Sequence, residues 1–276
     1  MALLQGCLGD VFITVDGMLG ITGGDSSFRH DDGSASQEVT VALVDFAAGQ
    51  GTEHAVMTAL TGSRLLVPVV AVLADQLEPA SPGQPASPGL ASPGPAVARS
   101  ATRGEKASEM AMPTLIGADG RRAVPAFTSL ESMRRWQVDA RPVPVTALSV
   151  WQSARADSCA VVIDVAGPVP FAVEGSRLVT LARGEAAPQP FADPDVREIV
   201  AAVLASQLDV ASFELQPDDG GHDLAIVLVL TDEATADSEH DAAKLGAEVA
   251  DAVMARLGGR LRRGVAIWLG SHPDAS

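Results

Sequence analysis

Three groups of side chains in this chain have the types and spacing to do chemistry. Gly24-Asp25-Ser26 offers a hydroxyl in a glycine-flanked turn, and Asp219-Gly220-Gly221-His222 offers an imidazole at Asp-x-x-His spacing. Together they would make a serine hydrolase: Ser26 attacks, His222 takes its proton, and Asp219 orients the ring. Asp237, Glu239, His240 and Asp241 could hold a metal ion. The same acids suit the opening turn of a helix, where the dipole favours negative charge, and no ligand spacing recurs among the other histidines. The third group is cationic: Arg121, Arg122, Arg134, Arg135 and Arg141, with Trp136. Arg and Trp are favoured where proteins touch, because both offer large contacts at modest entropic cost. These six residues are the candidate interaction patch, for an acidic partner or a structured anion.

Charge frames that patch. The formal net charge is -16, which argues against general nucleic-acid binding, since phosphates need Lys and Arg. Residues 1–97 carry 10 acids and 2 bases, residues 98–190 carry 9 and 11, and residues 191–276 carry 16 and 6. Two acidic flanks therefore enclose a mildly basic middle. The chain has no Tyr and no Asn, so a mechanism that uses either is excluded. Its two cysteines, Cys7 and Cys159, are too few for a disulfide framework and fit a reducing compartment. The longest apolar run, residues 65–73, is far short of the ~20 residues a membrane helix needs. The first 24 residues hold no Lys or Arg, unlike a secretory signal. No glycine-rich phosphate loop is present, and no cofactor is expected.

The elements that must position these groups fall into two domains. Residues 1–35 read as a loose extension, in which residues 11–15 could form a strand. A first domain spans 36–183. It opens with a helix over 37–48, where Val41, Val44 and Ala48 share a face, then a helix capped by Thr52. Residues 64–73 are apolar on both sides, as in a buried central strand, with Pro68 predicting a bulge or an edge. Residues 78–104 repeat Ala-Ser-Pro-Gly and read as a disordered insert. Strands follow over 110–116 and 121–127, joined by an Asp119-Gly120 turn. Thr128 or Ser129 caps a short helix running to Trp136, and strands and helices alternate to residue 182. After a linker over 184–192, Asp193-Pro194 starts a second domain, 193–271, of order α-β-β-α-β, a split plait without its first strand. Its long helix ends near Arg256, Arg260, Arg262 and Arg263, read as dipole complementation and solubility. Residues 272–276 are a tail. The fold class expected is α+β, a mixed sheet with short flanking helices plus the small second unit.

The middle of the chain carries a resemblance. Residues 105–110 (EKASEM), 125–129 (PAFTS), 141–145 (RPVPV) and 166–171 (AGPVPF) are similar to the SseB N-terminal domain family over roughly residues 28–185, and the region from Asp193 resembles that family's C-terminal domain. The resemblance implies a soluble cytoplasmic protein without established catalytic residues. The function expected is therefore a non-enzymatic adaptor or regulatory protein that acts through a protein partner not identifiable from the sequence. A small-metabolite sensor, for an amino acid or related compound, is the alternative. The Ser26 block also looks like that of GDSL-type hydrolases, but those enzymes place an Asn in the oxyanion hole, and this chain has none.

Overall fold

In a computed structural model of the chain, the residues described are 12–14, 28–73, 108–231 and 239–270. The Ala-Ser-Pro-Gly insert lies outside them, as do Ser26 and Asp237. The protein is α+β, as the patterning predicts. Two sheets build the first domain. The larger has the order β1-β4-β5-β7-β8, from strands β1 (Phe12–Thr14), β4 (Thr114–Ile116), β5 (Arg122–Ala126), β7 (Ala160–Ile163) and β8 (Phe171–Val173). All its pairings are antiparallel except β5 with β7. The smaller sheet places β2 (Arg64–Leu73) between β3 (Ser108–Ala111) and β6 (Arg141–Thr146), all antiparallel. One bridge joins the sheets: Leu66 and Phe127 exchange two backbone hydrogen bonds of 2.8 Å.

The helices lie on both faces. On one, α1 (Gln37–Ala47), α2 (Glu53–Thr61), α4 (Ala147–Ala156) and α5 (Gly175–Ala182) bury Phe46, Met57, Leu60 and Trp151 against β2, β5 and β7. Phe46 meets Phe171 edge to face at 5.5 Å. On the other, α3 (Leu130–Trp136) closes a smaller core of Leu66, Phe127, Met133 and Trp136. Side-chain caps from Thr52, Ser129 and Thr146 begin α2, α3 and α4, satisfying amide donors that no helical turn can reach.

Two expectations are corrected, and a third is decided between its alternatives. Residues 110–116 are not one strand. Pro113, with no amide to donate, separates β3 from β4, and the two lie in different sheets. Helix α1 buries Val39, Leu43 and Phe46 and leaves Val41 and Val44 half exposed (51% and 53%). Both stripes are apolar at helical spacing, and Phe46, with the larger surface to hide, turns its own inward. Of the bulge and the one-sided edge expected at Pro68, the structure shows the edge. Pro68 sits opposite Pro142 in unbroken register, and on its other side it falls between the Leu66 bridge and the start of β3, where no amide is required.

The second unit is α6 (Pro194–Leu204), β9 (Val210–Gln216), β10 (Leu224–Leu230), α7 (Glu239–Leu257) and β11 (Val265–Gly270). Asp193 caps α6 through the Asp195 amide at 2.9 Å, with Pro194 at the first position. The sheet order is β11-β10-β9, with β10 and β11 parallel and directly adjacent. Both helices lie on one face, burying Val200, Val249 and Val253 against Ile226 and Leu228. The units meet at a charged seam. Glu53 is bound by Arg177 of its own domain and by Arg260 of the second unit, and Arg260 also binds Asp193. Arg262 stacks over Phe46 at 5.4 Å, whereas the Arg263 amide donates to Asp223 within the second unit. Arg260 and Arg262 thus reach across to the first domain, in place of the solubility role their position suggests.

Candidate functional site

Where parallel strands leave a sheet and their connections diverge, a crevice opens at their carboxyl ends. The β5–β7 pair makes such a crevice. Ala126 aligns with Ile163. Beyond them the chain turns into the α3 cap on one side and into Asp164 on the other. Asp164 is buried (3% exposed) and left-handed at φ 49°, a conformation Asp tolerates better than most residues but one that still stores strain. Its backbone is held by Ala126 O at 2.9 Å and by the Gly167 amide at 2.7 Å. Its carboxylate accepts from Thr128 N (2.9 Å) and Thr128 Oγ1 (2.6 Å). Burial pushes the Asp164 carboxyl above its ordinary value, and the Thr128 bonds pull it only part of the way back.

One wall of the crevice is the loop over residues 31–35. Arg64, at the start of β2, fixes it: the guanidinium binds Asp31 bidentately and donates to Thr128 O (2.6 Å) and Ser34 O (2.9 Å). The hydrogen bond from Arg64 holds the Asp31 carboxyl below its usual range. Gly33 is left-handed at φ 78°, and a Cβ there would lie 2.3 Å from Leu130 Cδ1, so only glycine lets the loop meet α3. The opposite wall is Pro168 and Val169, and α1 contributes Thr40, Leu43 and the exposed Val44. The result is an open groove of about 760 Å³ with a hydroxyl-lined, partly apolar floor.

Arg134 and Arg135, in the last turn of α3, stand on its rim. Arg135 pairs with Glu131 one turn earlier. Arg134 has no ion-pair partner among the described residues and is the uncompensated cation of the groove. The rest of the sequence-derived patch is elsewhere. Arg121 and Arg122 lie at the amino end of β5, where Arg121 binds Asp119 and, at 2.8 Å, Glu174. Arg141 opens β6 and is exposed. Trp136 is in the core, its ring 5.5 Å from Phe127. The structure thus brings Arg134 and Arg135 to one site with residues that composition did not single out: Asp31, Arg64, Thr128 and Asp164. Arg64 alone carried a signal, as one of two bases in the first 97 residues.

Of the hydrolase set, His222 bonds Asp218 through Nδ1 at 3.0 Å, in an exposed turn, and Asp219 is not its partner. Glu239, His240 and Asp241 form the first turn of α7. No helix among the described residues is long and apolar enough to cross a membrane.

A two-unit α+β architecture with a groove at the carboxyl ends of a central parallel pair defines the class of protein. The model of the SseB protein N-terminal domain matches residues 39–180, slightly more than half of the chain, and the chain belongs to the SseB family. No curated protein and no solved structure matches it. The matched region runs from α1 into α5 and contains every groove residue except those of the 31–35 loop.

Proposed function

We propose that this SseB-family chain is a non-enzymatic cytoplasmic adaptor or regulatory protein whose groove receives an acidic, partly apolar segment of a partner protein. The observation that carries the reading is Arg134, a cation with no ion-pair partner among the described residues, which lines the same groove as half-exposed Val44 and the Pro168-Val169 wall. A carboxylate arriving there gains a charge-assisted hydrogen bond, while the groove covers apolar side chains beside it. Asp164 is committed to Thr128, which favours a positioning role over an acid–base one. The test is to capture partners from the native host and repeat the capture with Arg134→Glu/Arg135→Glu and, as a control, Arg121→Glu at the far end of β5. A groove partner is lost only in the first. A partner retained by both rejects the groove as its docking site.

One observation favours the metabolite-sensor reading as a second. The groove volume of about 760 Å³ lies within the few hundred to about 1,000 Å³ of small-molecule sites. A thermal-shift panel of amino acids and related metabolites separates the two, because a ligand that binds only the folded state raises the melting temperature. Absence of any stabiliser at millimolar concentration counts against the sensor.

A further inference from the structure

Among the described residues, the second unit ends on a sheet edge that no other strand covers. β11 pairs with β10 on one side and with no other strand among the described residues on the other. Such an edge presents unused backbone donors and acceptors, and proteins ordinarily guard it with charge, proline or a bulge. The opposite edge is guarded in this way: β9 carries Ser212, Glu214 and Gln216 on its outward face, and its register with β10 slips between Val229 and Leu230. The six residues of β11, Val-Ala-Ile-Trp-Leu-Gly, carry no charge, no proline and no register shift.

The face beside this edge is apolar and partly exposed, with Ala225 buried in it. Register places Trp268 opposite Val227, on the side of the sheet away from α6 and α7, with Ala225, Val229 and Ala266. Trp268 is 57% exposed and is the one exposed tryptophan of the three, since Trp136 and Trp151 are buried. An indole on an uncharged strand next to unpaired backbone is the arrangement by which an extended segment adds to a sheet, its main chain supplying affinity and alternate side chains supplying specificity.

Charge selects the occupant. Residues 191–276 hold 16 acids against 6 bases. Of those bases, Arg260 is bound in the seam, Arg262 lies over Phe46, and Lys244 faces Glu248. A second copy would bring the same acidic surface against itself, whereas a cationic segment gains from both the field and the Trp268 ring face. We infer that β11 accepts an extended Lys- or Arg-bearing segment of a partner protein as a fourth strand, with a cation over Trp268 and its backbone completing the free edge. This surface is separate from the groove, so a chain bearing both could join an acidic partner to a basic one.

The test uses the full chain and three labelled hexapeptides: alternating Val-Lys, its Val-Glu twin, and the Val-Lys sequence N-methylated at alternate positions. Binding is read by anisotropy and by the fluorescence of Trp268. The Val-Lys peptide is expected to bind, the Val-Glu twin at least tenfold more weakly, and the N-methylated peptide, with equal charge but a blocked backbone edge, also at least tenfold more weakly. Trp268→Ala should weaken Val-Lys binding about tenfold, and Ala266→Lys, which installs a guard charge on the same face, should abolish it. Both variants are expected to keep the wild-type melting temperature within a few degrees. Arg134→Glu/Arg135→Glu should leave binding unchanged, which separates failure here from failure of the groove. Equal binding of the N-methylated or the Glu peptide overturns the proposal. So does a dimer that Trp268→Ala dissociates, since the edge would then belong to a second copy, and so does undiminished binding by Ala266→Lys.

Discussion

Arg260 is the residue whose removal should reveal how the two units are held together. Its guanidinium is 16% exposed and lies between Glu53 (5%) and Asp193 (1%), while Arg177 (5%) takes the other side of Glu53. The four side chains carry two positive and two negative charges, so the buried network is neutral. Arg260→Met keeps much of the volume but leaves Glu53 and Asp193 sharing one cation. Breaking a buried pair by deleting one partner costs about 3–5 kcal/mol, and the slight exposure of Arg260 places the loss near 3 kcal/mol. For a chain of this size that is a fall of roughly 6–12 °C in melting temperature. The informative variant is the double one. Asp193→Asn retains the α6 cap, since Asn caps as well as Asp, and it removes the stranded charge, restoring a one-to-one Glu53–Arg177 pair. Arg260→Met/Asp193→Asn should therefore be more stable than Arg260→Met by about 1–2 kcal/mol.

Acid should act in the same direction. In the intact protein, burial raises the Asp193 carboxyl, but the bonds from Ser176 and Arg260 outweigh it and leave the group below its ordinary value. Its contribution is thus present above the ordinary carboxyl range and is lost as pH falls through the depressed folded value. Without Arg260 the burial effect dominates, so the deficit of Arg260→Met should shrink on acidification. Urea unfolding of the three proteins at pH 7 and pH 5, followed in parallel by calorimetry, measures all of this. If adding Asp193→Asn to Arg260→Met lowers stability further, the charge-balance reasoning is wrong. A second transition in the Arg260→Met melt, absent from the wild type, is also expected, because the units lose their main polar tie.

Three further outcomes are expected. Burial raises the Asp164 carboxyl, so its folded form favours the proton, and its contribution is lost as pH rises through the raised folded value; the wild type should lose ground to Asp164→Asn between pH 4 and pH 8 in urea midpoints, and a constant difference would refute this. Trp151 is 1% exposed and its Nε1 finds no partner among the described residues, so Trp151→Ala should cost about 3–5 kcal/mol, whereas Trp151→Phe, which removes the unpaired donor, should cost under about 1.5 kcal/mol by denaturant titration. Gly175 has φ 62°, and a Cβ there would stand 2.2 Å from Asp195 Oδ2. Gly175→Ala should therefore destabilise by roughly 1–3 kcal/mol and loosen α5 against α6, visible as faster amide exchange at Ser176, whose amide donates to Asp195.

The sequence by itself determined most elements of this protein, because their signals are local. Asp193-Pro194 starts α6, Asp119-Gly120 turns β4 into β5, and the apolar run after Arg64 forms a strand with neighbours on both sides. The family was legible too, in short blocks of sequence. Tertiary structure decided what local pattern leaves open. The valines of α1 and its Val39-Leu43-Phe46 stripe are equally periodic, and only packing against Phe171 chose between them. Arginines adjacent in sequence, or grouped within one segment, were separated by the length of β5, which puts Arg121 and Arg134 at opposite ends of a sheet. Asp164, Arg64 and Asp31, distant along the chain, were brought to one groove by the parallel pairing of β5 with β7 and by the loop that Arg64 pins. Glu53 likewise meets Asp193 and Arg260 only because the second unit packs against the first. Helix caps, turns and periodicity act over a few residues and can be read from spacing, whereas charge pairing and burial act through space, between positions whose separation in sequence carries no information about their distance.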